Sequence, residues 1–187
     1  MTRFWWLRHA PVITPGITGQ LDVDADTSNT AAFTGLAARL PGGAVLVESG
    51  LRRCRQTADA LRGTGLALPE PEIHPTLMEQ NFGDWQGKRW DEFEAPEFWR
   101  APASAVPPQG ESFSAVVTRV GPAIQQLSRR HADRDIVVIA HAGPIRAALA
   151  IAMGISSAAA LQFAVAPLSL TRLTLAGGGW TVEGVNG

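Results

Sequence analysis

The sequence predicts an α/β fold: a three-layer sandwich with a largely parallel, mixed sheet and helices on both faces. Three observations lead there. Short apolar runs alternate with longer stretches of helical periodicity, as in strand–helix–strand units. Phe4–Leu7 and Asp135–Ala140 are apolar strand candidates, and the first suits a strand buried on both faces. The length of 187 residues, 45% of them hydrophobic, fits one domain with a substantial core.

After the strand at Phe4–Leu7 comes a loop containing Pro11, Pro15, Gly16 and Gly19. A helical pattern runs from about Thr27 to Leu40, opened by Ser28 or Asn29 and closed by Pro41-Gly42-Gly43. Ala44–Glu48 reads as a second strand, Leu51–Leu61 as a second helix ended by Gly63, and Pro71–His74 as a weaker strand. Between Trp85 and Glu111 the periodicity breaks. Pro96, Pro102, Pro107 and Pro108 leave room only for a short helical piece around Asp91–Trp99. This stretch holds Trp85, Trp90 and Trp99, three of the six tryptophans, so it reads as a lid insertion over the sheet rather than a linker. A long helix (Ser112–His131), the strand Asp135–Ala140 and a helix (Pro144–Met153) follow. Strands near Ser169–Leu175 and Trp180–Val185, joined by Gly177-Gly178-Gly179, finish the chain. The expected organisation is a single domain, 1–187, with 85–111 as its lid.

Composition narrows the function. The 16 Lys and Arg are spread among 17 Asp and Glu, with no basic tract of the kind a nucleic-acid partner requires. The apolar run before Arg8 is too short for a signal peptide, and no stretch reaches the length of a membrane span. The lone Cys54 forms no internal disulfide, and no Cys/His group has zinc spacing. A cytoplasmic monomer or homodimer without metal or cofactor is expected.

Two apolar strands end alike, Trp5-Trp6-Leu7-Arg8-His9-Ala10 and Val137-Val138-Ile139-Ala140-His141-Ala142. Ligands of open α/β sheets bind beyond the carboxyl ends of strands, so two histidines in matched positions can share one pocket. A single such histidine would more often only cap its strand. The second helix opens Ser49-Gly50-Leu51-Arg52-Arg53-Cys54-Arg55. Cations there oppose the helix dipole unless an anion is bound, and phosphate suits both the helix N-terminus and an arginine fork. Arg52 and Arg55 are expected to point to water. Together the residues describe an anion pocket containing a nucleophile.

Leu7-Arg8-His9-Ala10, the Ser49–Ala58 segment, Leu77-Met78-Glu79 through Gly87, and Ala140–Arg146 resemble the histidine phosphatase superfamily, which includes the cofactor-dependent phosphoglycerate mutases. Gly110-Glu111-Ser112 is similar to the pattern of the small α-ribazole-phosphatase-like members. The resemblance implies a histidine acid phosphatase-type phosphohydrolase that acts on a small phosphorylated metabolite through a phosphohistidine, without a metal. It assigns His9 as nucleophile, Arg8, Arg53 and His141 as phosphoryl-binding, Glu79 as proton donor, and Thr18 and Gly19 as phosphate-contacting loop residues. Alternatives on the same fold are a phosphoglycerate-mutase-type phosphoryl transferase and a non-catalytic phosphate- or protein-binding module.

Three positions depart from the family. Ala10 replaces the usual glycine and is expected to narrow the approach to phosphate slightly. Pro15 replaces a frequent asparagine, removing a polar phosphate contact. Gly50 stands where proline is common. Of the remaining candidates, His74 and His131 read as structural and Cys54 as a buried filler, although Arg53 beside it could lower its pKa.

Overall fold

The computed structural model describes residues 1–92 and 94–187. In chain order the elements are β1 (Thr2–Arg8), α1 (Thr30–Ala37), β2 (Val45–Glu48), α2 (Arg52–Gly63), β3 (Glu72–Ile73), α3 (Pro96–Arg100), α4 (Phe113–Arg130), β4 (Asp135–Ala140), α5 (Ala142–Met153), α6 (Ser157–Ala160), β5 (Leu170–Ala176) and β6 (Gly179–Gly184). The six strands make one sheet in the order β3-β2-β4-β1-β5-β6. The first four are parallel, and β5 and β6 return antiparallel beside β1.

β1 and β4 lie at the centre because their side chains accept burial on both faces. Phe4, Trp6, Ile136 and Val138 face a core built with α4 and α5, whereas Leu7, Val137 and Ile139 face a second core with α1 and α2. Helices therefore cover both faces, as expected of the three-layer sandwich. Trp5 is half-buried, with its Nε1 donating to Asp135 at 2.9 Å and Arg172 over its ring.

Helix ends follow capping chemistry. α1 begins later than the periodicity suggested because the Asn29 side chain accepts from Ala32 N. α4 starts one residue in, since the Ser112 side chain accepts from Ala115 N. Pro122 interrupts the hydrogen bonds of α4 at a cost of about 3 kcal/mol. Burial of Val116, Val120, Ile124 and Leu127, at roughly 1.5–3 kcal/mol each, offsets it. α5 begins earlier than expected, at Ala142, because a proline in the first turn needs no intrahelical N–H partner. The short helix expected around Asp91–Trp99 is instead α3, at Pro96–Arg100, with Phe93 outside the described residues. The short α6 carries no periodic signal.

Candidate active site

Because β1 and β4 are parallel neighbours with Arg8 opposite Ala140, the next residues, His9 and His141, emerge side by side at the carboxyl edge of the sheet. Their ring centroids are 4.9 Å apart. β2 ends beside β4 with Glu48 opposite Ile139, which puts Ser49 Oγ 2.8 Å from His141 Nε2. α2 leaves the same edge and delivers Arg53, whose Nε is 3.2 Å from both His9 Nε2 and His141 Nδ1.

Hydrogen bonding assigns the tautomers. His9 Nδ1 lies 2.6 Å from the carbonyl of Ala10, which only accepts, so Nδ1 carries the proton and Nε2 the lone pair. Burial, and then the charge of Arg53, lower the His9 pKa to about 3, so the ring is neutral at neutral pH. His141 is also held well below its ordinary value, by burial first and then by His9 and Arg53. Its Nδ1 accepts from Arg53, leaving Nε2–H for Ser49 Oγ.

Arg53 is 1% exposed, and a buried guanidinium without partners would cost several kcal/mol. Its two terminal nitrogens donate to the carbonyls of Leu21 and Gly19, each at 2.7 Å. Arg8 donates through Nη1 to Val165 O at 2.6 Å, while its buried Nε has no hydrogen-bond partner among the described residues. Glu79 Oε1 accepts from the backbone N–H of Gly143 and of Gln80, both at 2.9 Å. The first of these donors belongs to the opening turn of α5. Arg8, His9, Arg53 and Glu79 line one cavity of about 230 Å³ together with Thr18 and Gly19. Among the described residues no group of three or more His, Cys, Asp or Glu is arranged to hold a metal ion.

Residues 5–187 match the model of the histidine phosphatase superfamily, branch 1. The chain belongs to that superfamily. Over 153 residues it is 35% identical to the glucosyl-3-phosphoglycerate phosphatase of Mycolicibacterium vanbaalenii, covering 73% of this chain and 66% of the relative. Over 141 residues it is 29% identical to the metal-independent phosphoserine phosphatase of Arabidopsis thaliana, covering 70% and 59%. The chain thus spans less than two thirds of the length of these relatives. In fold it is similar to the α-ribazole phosphatase of Shigella flexneri, with a TM-score of 0.85 at 21% identity, covering 99% of this chain and 96% of that one.

Several residues of this superfamily member sit elsewhere than its sequence suggested. His141, expected on the phosphate, is fully buried and does not line the cavity; it meets the site through Arg53. Ala10 does not narrow the pocket: its side chain packs in the core with α2, and its N–H donates to Thr57 Oγ1 at 2.9 Å. Pro15 lines an outer hollow beside the cavity. Gly50 adopts φ +92°, a conformation closed to the family's proline. Arg52 is exposed and pairs with Asp24 at 3.2 Å. Arg55 is not simply solvated, because it donates at 3.0 Å to Glu48, a buried carboxyl whose pKa burial raises. Burial pushes the Cys54 thiol up to about 12, so it is an inert filler. His131 and His74 both pair with Glu72.

Other supporting residues went unassigned in the sequence. Arg119 donates to the carbonyls of Met78 and Glu79, at 2.9 and 3.0 Å, and to Glu111, whose carboxylate also accepts from Asn81 N. Gln20 Nε2 donates to the same Glu79 carbonyl at 3.0 Å. The backbone carrying Glu79 is therefore clamped from two sides. Gly143 gave no signal of its own, because it lies just ahead of the helix that the sequence predicts from Pro144.

Proposed function

We propose that this chain is a phosphomonoester hydrolase of the histidine acid phosphatase type, acting on a small phosphorylated metabolite without a metal ion. The observation that carries the reading is the state of His9: neutral, with Nδ1–H committed to Ala10 O and the lone pair on Nε2, in a cavity that two guanidiniums also line. That is a nucleophile facing an anion site.

In the proposed reaction His9 Nε2 attacks phosphorus as the ester P–O bond breaks, and Glu79 protonates the departing alkoxide. Water then attacks the phosphohistidine, giving its proton to Glu79, and the P–N bond breaks to release inorganic phosphate. Arg8 and Arg53 neutralise the charge spread over the equatorial oxygens. The orphaned Nε–H of Arg8 gains an acceptor when a phosphoryl oxygen arrives. The Arg53 Nε–H, divided between two histidines in long bonds, turns to a phosphoryl oxygen and uncovers the His9 lone pair. His141 positions Arg53 by accepting its Nε–H at Nδ1. Thr18 and Gly19 close the phosphate side, and residues 85–111 of this single domain act as a lid on the leaving-group side.

The test is steady-state hydrolysis of phosphomonoesters in excess EDTA, with and without vanadate. Turnover that survives EDTA and is blocked by vanadate is expected. Activity lost on chelation and restored by a divalent cation would contradict the mechanism.

A further inference from the structure

Beyond the phosphoryl-binding residues, the cavity wall is made of Val12, Gly16, Ile17, Phe82 and Trp90. Gly16 and Trp90 also line the outer hollow of about 350 Å³, together with Pro15, Arg89 and Asp91. The site therefore continues past Gly16 and Trp90, on a path that Arg8, His9, Arg53 and Glu79 do not line. That path is where the alcohol half of a bound ester must lie.

Its chemistry is one-sided. Among the described residues the cations lining the cavity are Arg8 and Arg53, and both belong to the phosphoryl group. The cation at the outer hollow, Arg89, is already matched: its Nε and Nη2 donate to the two carboxylate oxygens of Asp91, each at 2.9 Å. Trp90 is held by rings on several sides, edge-on to Phe82 and Trp85 and stacked on Phe98 at 5.8 Å, yet remains 41% exposed. Gly16, at φ +98°, is fixed against the lid: an added Cβ would meet Lys88 O at 2.8 Å, and the next residue's N–H donates to that same carbonyl.

We infer that the alcohol half of the substrate is uncharged and carries a ring that packs on Trp90. The inference rests on the phosphatase reading and gives that site its substrate class. An aromatic or sugar ring gains burial and stacking on such a wall. A carboxylate there loses water, finds no unmatched cation among the residues lining the hollow and faces Asp91. Phosphoserine and glucosyl-3-phosphoglycerate, the substrates in the relatives' names, each carry a carboxylate, so this chain's selectivity differs from theirs.

The experiment compares kcat/KM for benzyl phosphate, ethyl phosphate, 3-phosphoglycerate and phosphoserine in EDTA, esters whose leaving groups are all alkoxides. Benzyl phosphate is expected to exceed each of the others by about tenfold or more, the scale of discrimination an apolar pocket gives. Trp90→Ala should bring the benzyl-to-ethyl ratio towards one, and Trp90→Phe should keep most of it. Wild-type enzyme that hydrolyses ethyl phosphate or 3-phosphoglycerate as well as benzyl phosphate overturns this inference and leaves the phosphatase reading standing. An unchanged ratio in Trp90→Ala overturns the role of Trp90. Failure to hydrolyse any of the four esters overturns the phosphatase reading, and this inference with it.

Discussion

An alanine at position 143 would set its Cβ far inside van der Waals contact with Glu79 Oε1, the oxygen that Gly143 N–H now holds. Restoring an ordinary contact of 3.4 Å requires the carboxylate to retreat by about 1 Å. The backbone needs no such concession. Gly143 is helical without a positive φ, so alanine suits it and should stabilise the fold by about 0.4–1 kcal/mol. The substitution thus separates the position of Glu79 from stability. A misplacement of that size costs on the order of 10²-fold in rate, about 2.7 kcal/mol of barrier. The loss should fall on esters whose leaving group needs a proton. Gly143→Ala is expected to lower kcat/KM for ethyl phosphate by about 10²-fold, but for p-nitrophenyl phosphate, whose phenolate departs unprotonated, by less than about tenfold. The assay is steady-state kinetics on both esters beside a thermal melt. Parallel losses on the two esters with an unchanged Tm would refute the reasoning, and so would full activity on ethyl phosphate.

Arg53→Lys should reduce kcat/KM by orders of magnitude, because lysine cannot hold the Gly19 and Leu21 carbonyls, both histidines and a phosphoryl group together. Arg52→Lys should stay within a few-fold of wild type, and a crippled Arg52→Lys would mean the wrong arginine has been assigned. Arg55→Ala should cost about 1–3 kcal/mol of stability by leaving buried Glu48 unpaired, with activity at room temperature little changed; a melt and a rate measurement check both. With His9 held at about 3, kcat/KM should show no loss attributable to His9 protonation between pH 7 and 5; an NMR titration that puts the His9 ring near 6.5 would contradict this. His9 and His141 are neutral in the fold but protonate from their ordinary 6.5 when unfolded, so the unfolded chain binds more protons. Stability should therefore fall as pH drops below about 6.5, by up to about 1.4 kcal/mol per unit for each histidine, and a flat Tm from pH 7 to 4.5 would contradict their burial as neutral rings.

Elements and residues differed in how legible they were. β1 and β4 showed as apolar runs because both of their faces are buried, and the histidines at their ends followed from strand geometry alone. Arg53 was separable from Arg52 and Arg55 by the family resemblance, and the helix turns it inward while the other two stay exposed. What stayed hidden depends on contacts between segments far apart in the chain. The bond from Gly143 to Glu79 spans 64 positions and leaves no periodic trace. The same holds for Arg119 on the Glu79 carbonyl and for Ser49 beneath His141. The family resemblance tied Ala10 and Pro15 to the phosphate. The backbone turns Ala10 into the core and Pro15 out to the second hollow.

Rapid quenching of the enzyme during turnover of a radiolabelled phosphomonoester tests the nucleophile most directly. Label bound to protein, stable in alkali, lost in acid and mapped to His9, is the expected result, with none trapped on His9→Ala. Acid-stable label, label on another residue, or equal label and turnover in His9→Ala would contradict a phosphohistidine at His9.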